Sequence, residues 1–369
     1  MPARVSQLVT EQHRSQLKFM SFVDQCTNEL RSAIDLDSRR VLILSPILFT
    51  KQKNNPDRFH SILADISRYK PEAIVLLNWP EPHWITEHSN ILESIIKPLG
   101  VPYYLMGYHK HPQSTFFDFW AMCFAHYLPK YTDSELLPDA RPSKLFLNHN
   151  RSNRNHRREL YDKLDQAGLI EFGHISLHDH QSPKLIAELL PTGPELWPKR
   201  SDTEDNPLFN VPNDPYTLGD LQIWRDHVLT IVSDGWWVEK PDPLGAVFLT
   251  EKVYKPIVGL RPFLFNGSYD NLEALKQQGF DIFEDVFEFQ LSDFANKEQA
   301  HKVIVSNIEQ LSKLTPEQLL EWYQQLMPRL LANKQHFANY VSKQQHVLRN
   351  YANQIAVAWF KKPGNFPDK

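Results

Sequence analysis

Thr250-Glu251-Lys252, with Lys255 one turn further on, places one acid and two bases at the start of a short helix. A threonine is a good N-cap, because its hydroxyl can accept from the unpaired N–H groups of the first turn. Glu251 can accept hydrogen bonds from the hydroxyls of a sugar. Lys252 and Lys255, added to the positive end of the helix dipole, can hold a phosphate. The same residues also suit an ordinary capped helix with solvated lysines, so the stretch alone leaves both readings open. Gly259 and Pro262 end the helix, and residues 263–265 then read as a buried strand.

A second basic concentration is Asn148-His149-Asn150-Arg151-Ser152-Asn153-Arg154-Asn155-His156-Arg157-Arg158. It follows an apolar strand and opens a helix, and it holds four arginines and two histidines. Cations at a helix N-terminus oppose the dipole, so a purely structural purpose is unnatural. Arginine forks match phosphate oxygens in two-point geometry. Asn148, Arg151, Arg154 and Arg157 are therefore candidates for binding an anion, most simply the phosphates of a nucleotide.

The elements that must position these residues follow from periodicity. Residues 1–38 read as helical. Residues 40–46, 73–78 and 101–106 are continuous apolar runs of strand length, separated by helices over about 56–69 and 85–97, with a buried helix over 116–127. Alternation resumes with strands at 144–148, 174–177 and 227–233 and helices at 155–167 and 272–278. Residues 179–222 are proline-rich and read as a long decorated loop, and the chain from about 298 onward is helical and amphipathic. Continuous apolar strands alternating with helices predict parallel sheets covered on both faces. The expected architecture is α/β, with two Rossmann-like domains facing a cleft and a helical C-terminal tail. The expected domains are 1–135, 143–345 and a tail over 346–369, with the polar, proline-rich stretch 128–142 as linker. Ligands in such sheets sit beyond the carboxyl ends of the strands, which gives weight to Glu81 and His83 after the second strand and to Asp234 after the strand at 227–233.

The totals limit the function classes. The 369 residues exceed what one core usually organises. With 41% hydrophobic and 23% charged residues, the composition is that of a folded globular protein. A net charge of −4 argues against a general nucleic-acid binder. Two cysteines, Cys26 and Cys123, predict neither a disulfide framework nor a thiolate metal site. No run is apolar enough to span a bilayer and no signal segment opens the chain, so a cytoplasmic location is expected, with any membrane contact peripheral. The glycine-rich phosphate loops of dehydrogenases and P-loop NTPases are missing, as is the G-x-S-x-G elbow. His178-Asp179-His180 lacks a matching carboxylate cluster and reads as a solvated loop, and no D-x-D stands ready to hold a metal on a sugar nucleotide.

Thr250-Glu251-Lys252, the short helix after it and Arg261-Pro262-Phe263-Leu264-Phe265-Asn266-Gly267 resemble the T-E-K segment and following strand of the alpha-1,3-fucosyltransferases. Asn150 with Arg157-Arg158-Glu159-Leu160-Tyr161-Asp162-Lys163-Leu164 is similar to that family's S-N … R-x-x-x-Y-x-x-L segment. Ser233-Asp234-Gly235 stands where the family has an F-E-N turn, and departs from it. The resemblance covers roughly residues 144–285, the C-terminal half only, and extends to a looser group of microbial glycosyltransferase-like proteins with T-E-K-x-x-K-P. It implies a GT-B fold with the nucleotide sugar held by the C-terminal domain. By position, Glu251 would hold ribose, while Lys252 and Arg157 would neutralise diphosphate without a metal. The expected activity is transfer of a sugar from a nucleoside-diphosphate sugar to a glycan acceptor.

An inverting transfer also needs a general base from the N-terminal half. Glu81 and His83 are the expected pair, ahead of His109 and His111. Trp79, Trp84, Tyr108, Trp236 and Trp237 are candidate stacking surfaces or plain loop packing. Two other readings remain open at the level of sequence: a different nucleotide-sugar enzyme, and a non-catalytic nucleotide- or glycan-binding protein.

Overall fold

Val41-Leu42-Ile43-Leu44 and Ala73-Ile74-Val75-Leu76-Leu77 carry no polar side chain, as strands sandwiched in a parallel sheet require. The computed structural model describes residues 41–44, 73–77, 97–106, 114–115, 118–128, 130–150, 154–178, 185–187, 217–235, 237, 247 and 249–360. The two runs form β1 (Val41–Leu44) and β2 (Ala73–Leu77), followed by β3 (Tyr103–Met106) and β4 (Ser114–Thr115). All four pair in parallel, in the order β1-β2-β3-β4. The helices expected over 1–38 and 56–69 lie outside the described residues, as does all but the end of the one expected over 85–97, where residues 97–99 form a 3-10 turn.

Contacts divide the chain into two compact units. The first draws on Met1–Phe119, Asp242–Phe248 and Ser342–Lys369, the second on Trp120–Pro241 and Leu249–Val341. Helix α1 (Phe119–Tyr127) thus falls almost wholly with the second unit, and the end of the chain with the first. The stretch 128–142, expected as a linker, holds a short helix, α2 (Asp133–Leu136), closed by a capping box between Thr132 and Glu135. It is packed down because Leu136 is fully buried and Asp139 N–H donates to the Arg225 carbonyl at 2.9 Å.

The second unit is built on a five-stranded sheet. Its strands are β5 (Phe146–His149), β6 (Gly173–His178), β7 (Leu185–Ala187), β8 (Leu229–Ser233) and β9 (Phe263–Asn266), in the order β7-β6-β5-β8-β9. β6, β5, β8 and β9 are parallel, and β7 is an antiparallel edge on β6. The chain therefore leaves β5 to build β6 on one side and returns to build β8 on the other. Between β5 and β8 the strand order reverses, which is where open α/β sheets bind ligands.

Among the described residues six more α-helices follow in this order: α3 (Asn155–Gln166), α4 (Leu221–Arg225), α5 (Glu251–Val258), α6 (Tyr269–Gln277), α7 (Lys297–Leu311) and α8 (Pro316–Phe360). β7 lies within the segment expected to be a long decorated loop with short helices, and α4 begins at its end. Register and strand alternation sort the side chains by face. Asn148, Ser233 and Asn266 share one face, and the Asn266 amide reaches the His156 carbonyl on α3 while its oxygen meets His301 on α7. Leu147, Thr230 and Val232 share the opposite face, the side of α4 and α5. Both sheets with their helices make the chain α/β, with a helical C-terminal region. No helix among the described residues is long and apolar enough to cross a membrane.

Candidate functional site

Two helices begin at the carboxyl edge of β5 and β8, one from each face of the sheet. α5 starts as its sequence requires: Thr250 is extended (φ −116°, ψ 176°) and its side chain accepts from the Lys252 N–H at 3.4 Å. The helix stops at Gly259, yet the left-handed residue is the next one, Leu260, at φ 55°. Gly259 serves a different need, since a Cβ there would lie 2.1 Å from the Trp224 ring. The Leu260 turn is held by Tyr323, whose hydroxyl donates to its carbonyl at 2.8 Å.

Between α5 and the sheet lies a recess of about 570 Å³, counting the part open to solvent. β5 contributes Leu147 and His149, β8 contributes residues 230–233, α4 contributes Trp224, and α5 contributes Glu251, Lys252 and Lys255. Glu251 and Lys255 are buried, at 7% and 6% exposure. Lys252 Nζ donates to Glu251 Oε1 at 2.5 Å.

α3 begins at the same edge. Arg157 is 3% exposed, and its Nη2 donates to the carbonyl oxygens of Asp234 at 2.6 Å and of Ser233 at 3.4 Å. Burial, with Arg154 nearby, brings its pKa down to about 10, which leaves the guanidinium charged at neutral pH. Arg154 is the half-buried N-cap residue of α3 and makes no side-chain cap. Arg158 turns away to pair with Asp162 at 2.8 Å on the exposed flank. His156 is buried and held neutral, its pKa pushed down to about 3 by burial and by Arg157. Its Nε2 lies 3.2 Å from the Asp234 carbonyl, so that nitrogen carries the proton.

Asn148 and Asp234 are placed among these groups but are engaged by the protein. The Asn148 amide donates to the Ile231 carbonyl at 2.7 Å and to Ser233 Oγ at 3.1 Å, tying β5 to β8. Asp234 accepts from the Gly235 N–H at 2.5 Å and from the Asn271 amide. Burial raises its pKa to about 6, against those hydrogen bonds and the charges of Lys252 and Arg157. Of the sequence candidates, the structure brings Asn148, Arg154, Arg157, Asp234, Thr250, Glu251, Lys252 and Lys255 to one end of one sheet. Arg151, Glu81 and His83 lie outside the described residues, as do His109, His111, Trp79, Trp84, Tyr108 and Trp236. Trp237 stands against His156 and His301, with ring centroids at 6.3 and 6.2 Å. Among the described residues no three His, Cys, Asp or Glu side chains gather as a metal site.

Sequence reasoning missed Trp224, Thr230 and Arg261. Arg261 is fully buried behind α5, where it donates to the carbonyls of Leu136 at 2.7 Å, Trp224 at 2.7 Å and His227 at 2.9 Å. The Trp224 and Tyr323 rings flank it, 5.8 and 5.5 Å from Cζ. It pins α4 against the end of α5 and so fixes one wall of the recess. Its adjacency to Gly259 was the available signal, because a cation next to a helix stop can serve bare carbonyls.

Compared with protein-family models, with curated proteins and with solved structures, the chain finds no match in any of the three.

Proposed function

We propose that the second unit binds a nucleoside-diphosphate sugar at the carboxyl edge of β5 and β8, and that the chain transfers the sugar to a glycan acceptor. On this reading the two sheets belong to Rossmann-like domains in a GT-B arrangement, and the enzyme works in the cytoplasm. The observation that carries the proposal is the convergence of two cationic helix starts on one sheet edge beside a recess. Arg157 comes from α3 on one face, and Lys252 from α5 on the other. A diphosphate lying across that edge would meet both cations and the N–H groups of α5.

The chemistry follows from where charge develops. As the glycosidic bond to the donor breaks, negative charge builds on the leaving diphosphate. Fixed donors aimed at it lower the barrier, and losing one such donor typically costs about 10²–10³ in rate. Lys252 would shift from Glu251 to a phosphate oxygen. Glu251 would then accept from the ribose hydroxyls, while Lys255 adds positive charge one turn deeper. The cations carry the leaving-group charge without a metal. Glu81 or His83 would take the proton of the acceptor hydroxyl as general base.

The test is turnover. Nucleoside-diphosphate sugars incubated with the chain should release free nucleoside diphosphate, faster with glycan acceptors present. A chain that turns over no donor under any acceptor would not be a transferase.

A further inference from the structure

The room for water-sized groups inside the recess is about 70 Å³. That is roughly half the ~150 Å³ that takes a benzene ring, and about twice the ~30 Å³ share of one water. A sugar or a base is too large for it, whereas one compact tetrahedral group fits. The inner end is closed by Leu147 and Trp224, each 1% exposed. Thr230 pairs with Leu147 in register and stands three residues before the end of β8, about 10 Å from it. Lys255 lies one turn along α5 from Glu251. These two side chains therefore belong to the inner end, and Glu251, Lys252 and His149 to the mouth. Thr230 is 7% exposed and its Oγ1 has no hydrogen-bond partner among the described residues. A buried hydroxyl without a partner is costly, so it points to a guest that supplies one.

We infer that the recess is a seat for one terminal phosphate group, bound by the Thr230 hydroxyl and the Lys255 ammonium. The occupant must be compact, because the space is small and closed at its inner end. It must also accept hydrogen bonds, because an ammonium group only donates and a threonine hydroxyl can donate. Water meets both conditions but brings no charge, and the lining carries two ammonium groups, Lys252 and Lys255, against one carboxylate, Glu251. A phosphate oxygen accepts from both inner groups and balances the charge. Its source is either free phosphate or the end of a nucleoside diphosphate. On the donor-site reading above, the second source has a consequence. In the donor the outer phosphate carries the sugar, which has no room here, so the donor's phosphates stay at the mouth with Lys252 and Arg157. Once the sugar has left, the outer phosphate is bare and enters. The seat then holds the product more tightly than the donor, and the released diphosphate inhibits the next turnover.

The test uses the full chain, calorimetric titration and thermal unfolding, with inorganic phosphate, GDP, UDP, GDP-mannose and UDP-glucose as probes. Wild type should bind phosphate, and should bind GDP or UDP at least tenfold more tightly than the matching sugar conjugate. Thr230→Val, nearly the same shape, should weaken phosphate and diphosphate about tenfold and leave the sugar conjugate unchanged, while Thr230→Ser restores both. Without ligand, Thr230→Val should unfold at no lower temperature than wild type; a lower one would mean that the hydroxyl already has a partner, and would overturn the seat. Equal binding of phosphate and diphosphate by wild type and Thr230→Val would overturn it too. Sugar conjugates bound as tightly as their diphosphates would overturn its preference for product. Each of these leaves the donor site standing. Thr230-dependent binding of phosphate with no nucleotide bound would keep the seat and sink the donor reading. Binding of none of the five would sink both.

Discussion

Lys252 Nζ donates to Glu251 Oε1 at 2.5 Å, and both side chains border the recess at the ends of β5 and β8. A lysine and an acid adjacent in sequence are thus held together where an anion would arrive. The pair separates the two proposed roles experimentally. Lys252→Ala should weaken nucleoside diphosphates about 10- to 100-fold, the value of a charge-assisted hydrogen bond, and barely affect the free nucleoside. Glu251→Gln should weaken nucleoside and nucleoside diphosphate alike, with pyrophosphate spared. Calorimetric titration of both variants with the three ligands reads this directly.

Arg157 binds the end of β8 through two carbonyls, so its removal has a structural and a ligand component. Arg157→Ala should lower the unfolding temperature and also weaken nucleoside diphosphate much more than nucleoside. Arg157→Lys keeps the charge but not the fork, and should recover part of the phosphate affinity with little of the stability. Equal loss of nucleoside and diphosphate binding in Arg157→Ala would argue against a phosphate role.

Gly259→Ala should be strongly destabilising despite an ordinary backbone conformation. The added Cβ would strike the Trp224 ring, and overpacking of this kind costs about 1–3 kcal/mol. Because Trp224 lines the recess beside the start of α5, the same variant should also weaken nucleotide binding. Thermal unfolding and titration of one sample check both.

Much of the second unit was legible because burial on both faces leaves uninterrupted apolar strands, as in Phe263-Leu264-Phe265. Thr250 marked the start of α5 to the residue, since capping chemistry is local. β7 was not legible: Leu185-Ile186-Ala187 is too short to show a period and depends on pairing with β6. The basic turn at α3 was visible as charge, but its division of labour was hidden. Only the structure shows His156 and Arg157 buried with Leu160 and Leu164, and Arg158 on the exposed flank. The wall of the recess escaped because Trp224 and Arg261 meet only after folding, across 37 residues of chain.

Acid should destabilise the protein from about pH 6.5 downward. His156 and His301 are held to about 3 and about 4 in the fold, chiefly by burial, and burial also lowers fully buried His227. The unfolded chain takes up protons on these rings at pH values where the folded chain does not. Each pH unit across the window costs about 1.4 kcal/mol per group. Asp234 works in the opposite sense. Its folded value near 6 means that it gains a proton before the unfolded carboxyl does, which adds stability as pH falls from 6 to 4. Three histidines outweigh one carboxyl, so denaturant midpoints should fall between pH 6.5 and 4. Asp234→Asn should steepen that fall, and a midpoint flat across the window would contradict the burial of these rings.

The central claim is that a nucleoside diphosphate is held at the start of α5. Titration of GDP, UDP and CDP into wild type and into the Glu251→Ala/Lys252→Ala double variant tests it most directly. Saturable binding of at least one by wild type, lost in a double variant that unfolds at an unchanged temperature, is the predicted result. No binding by wild type, or equal binding by the double variant, would contradict it.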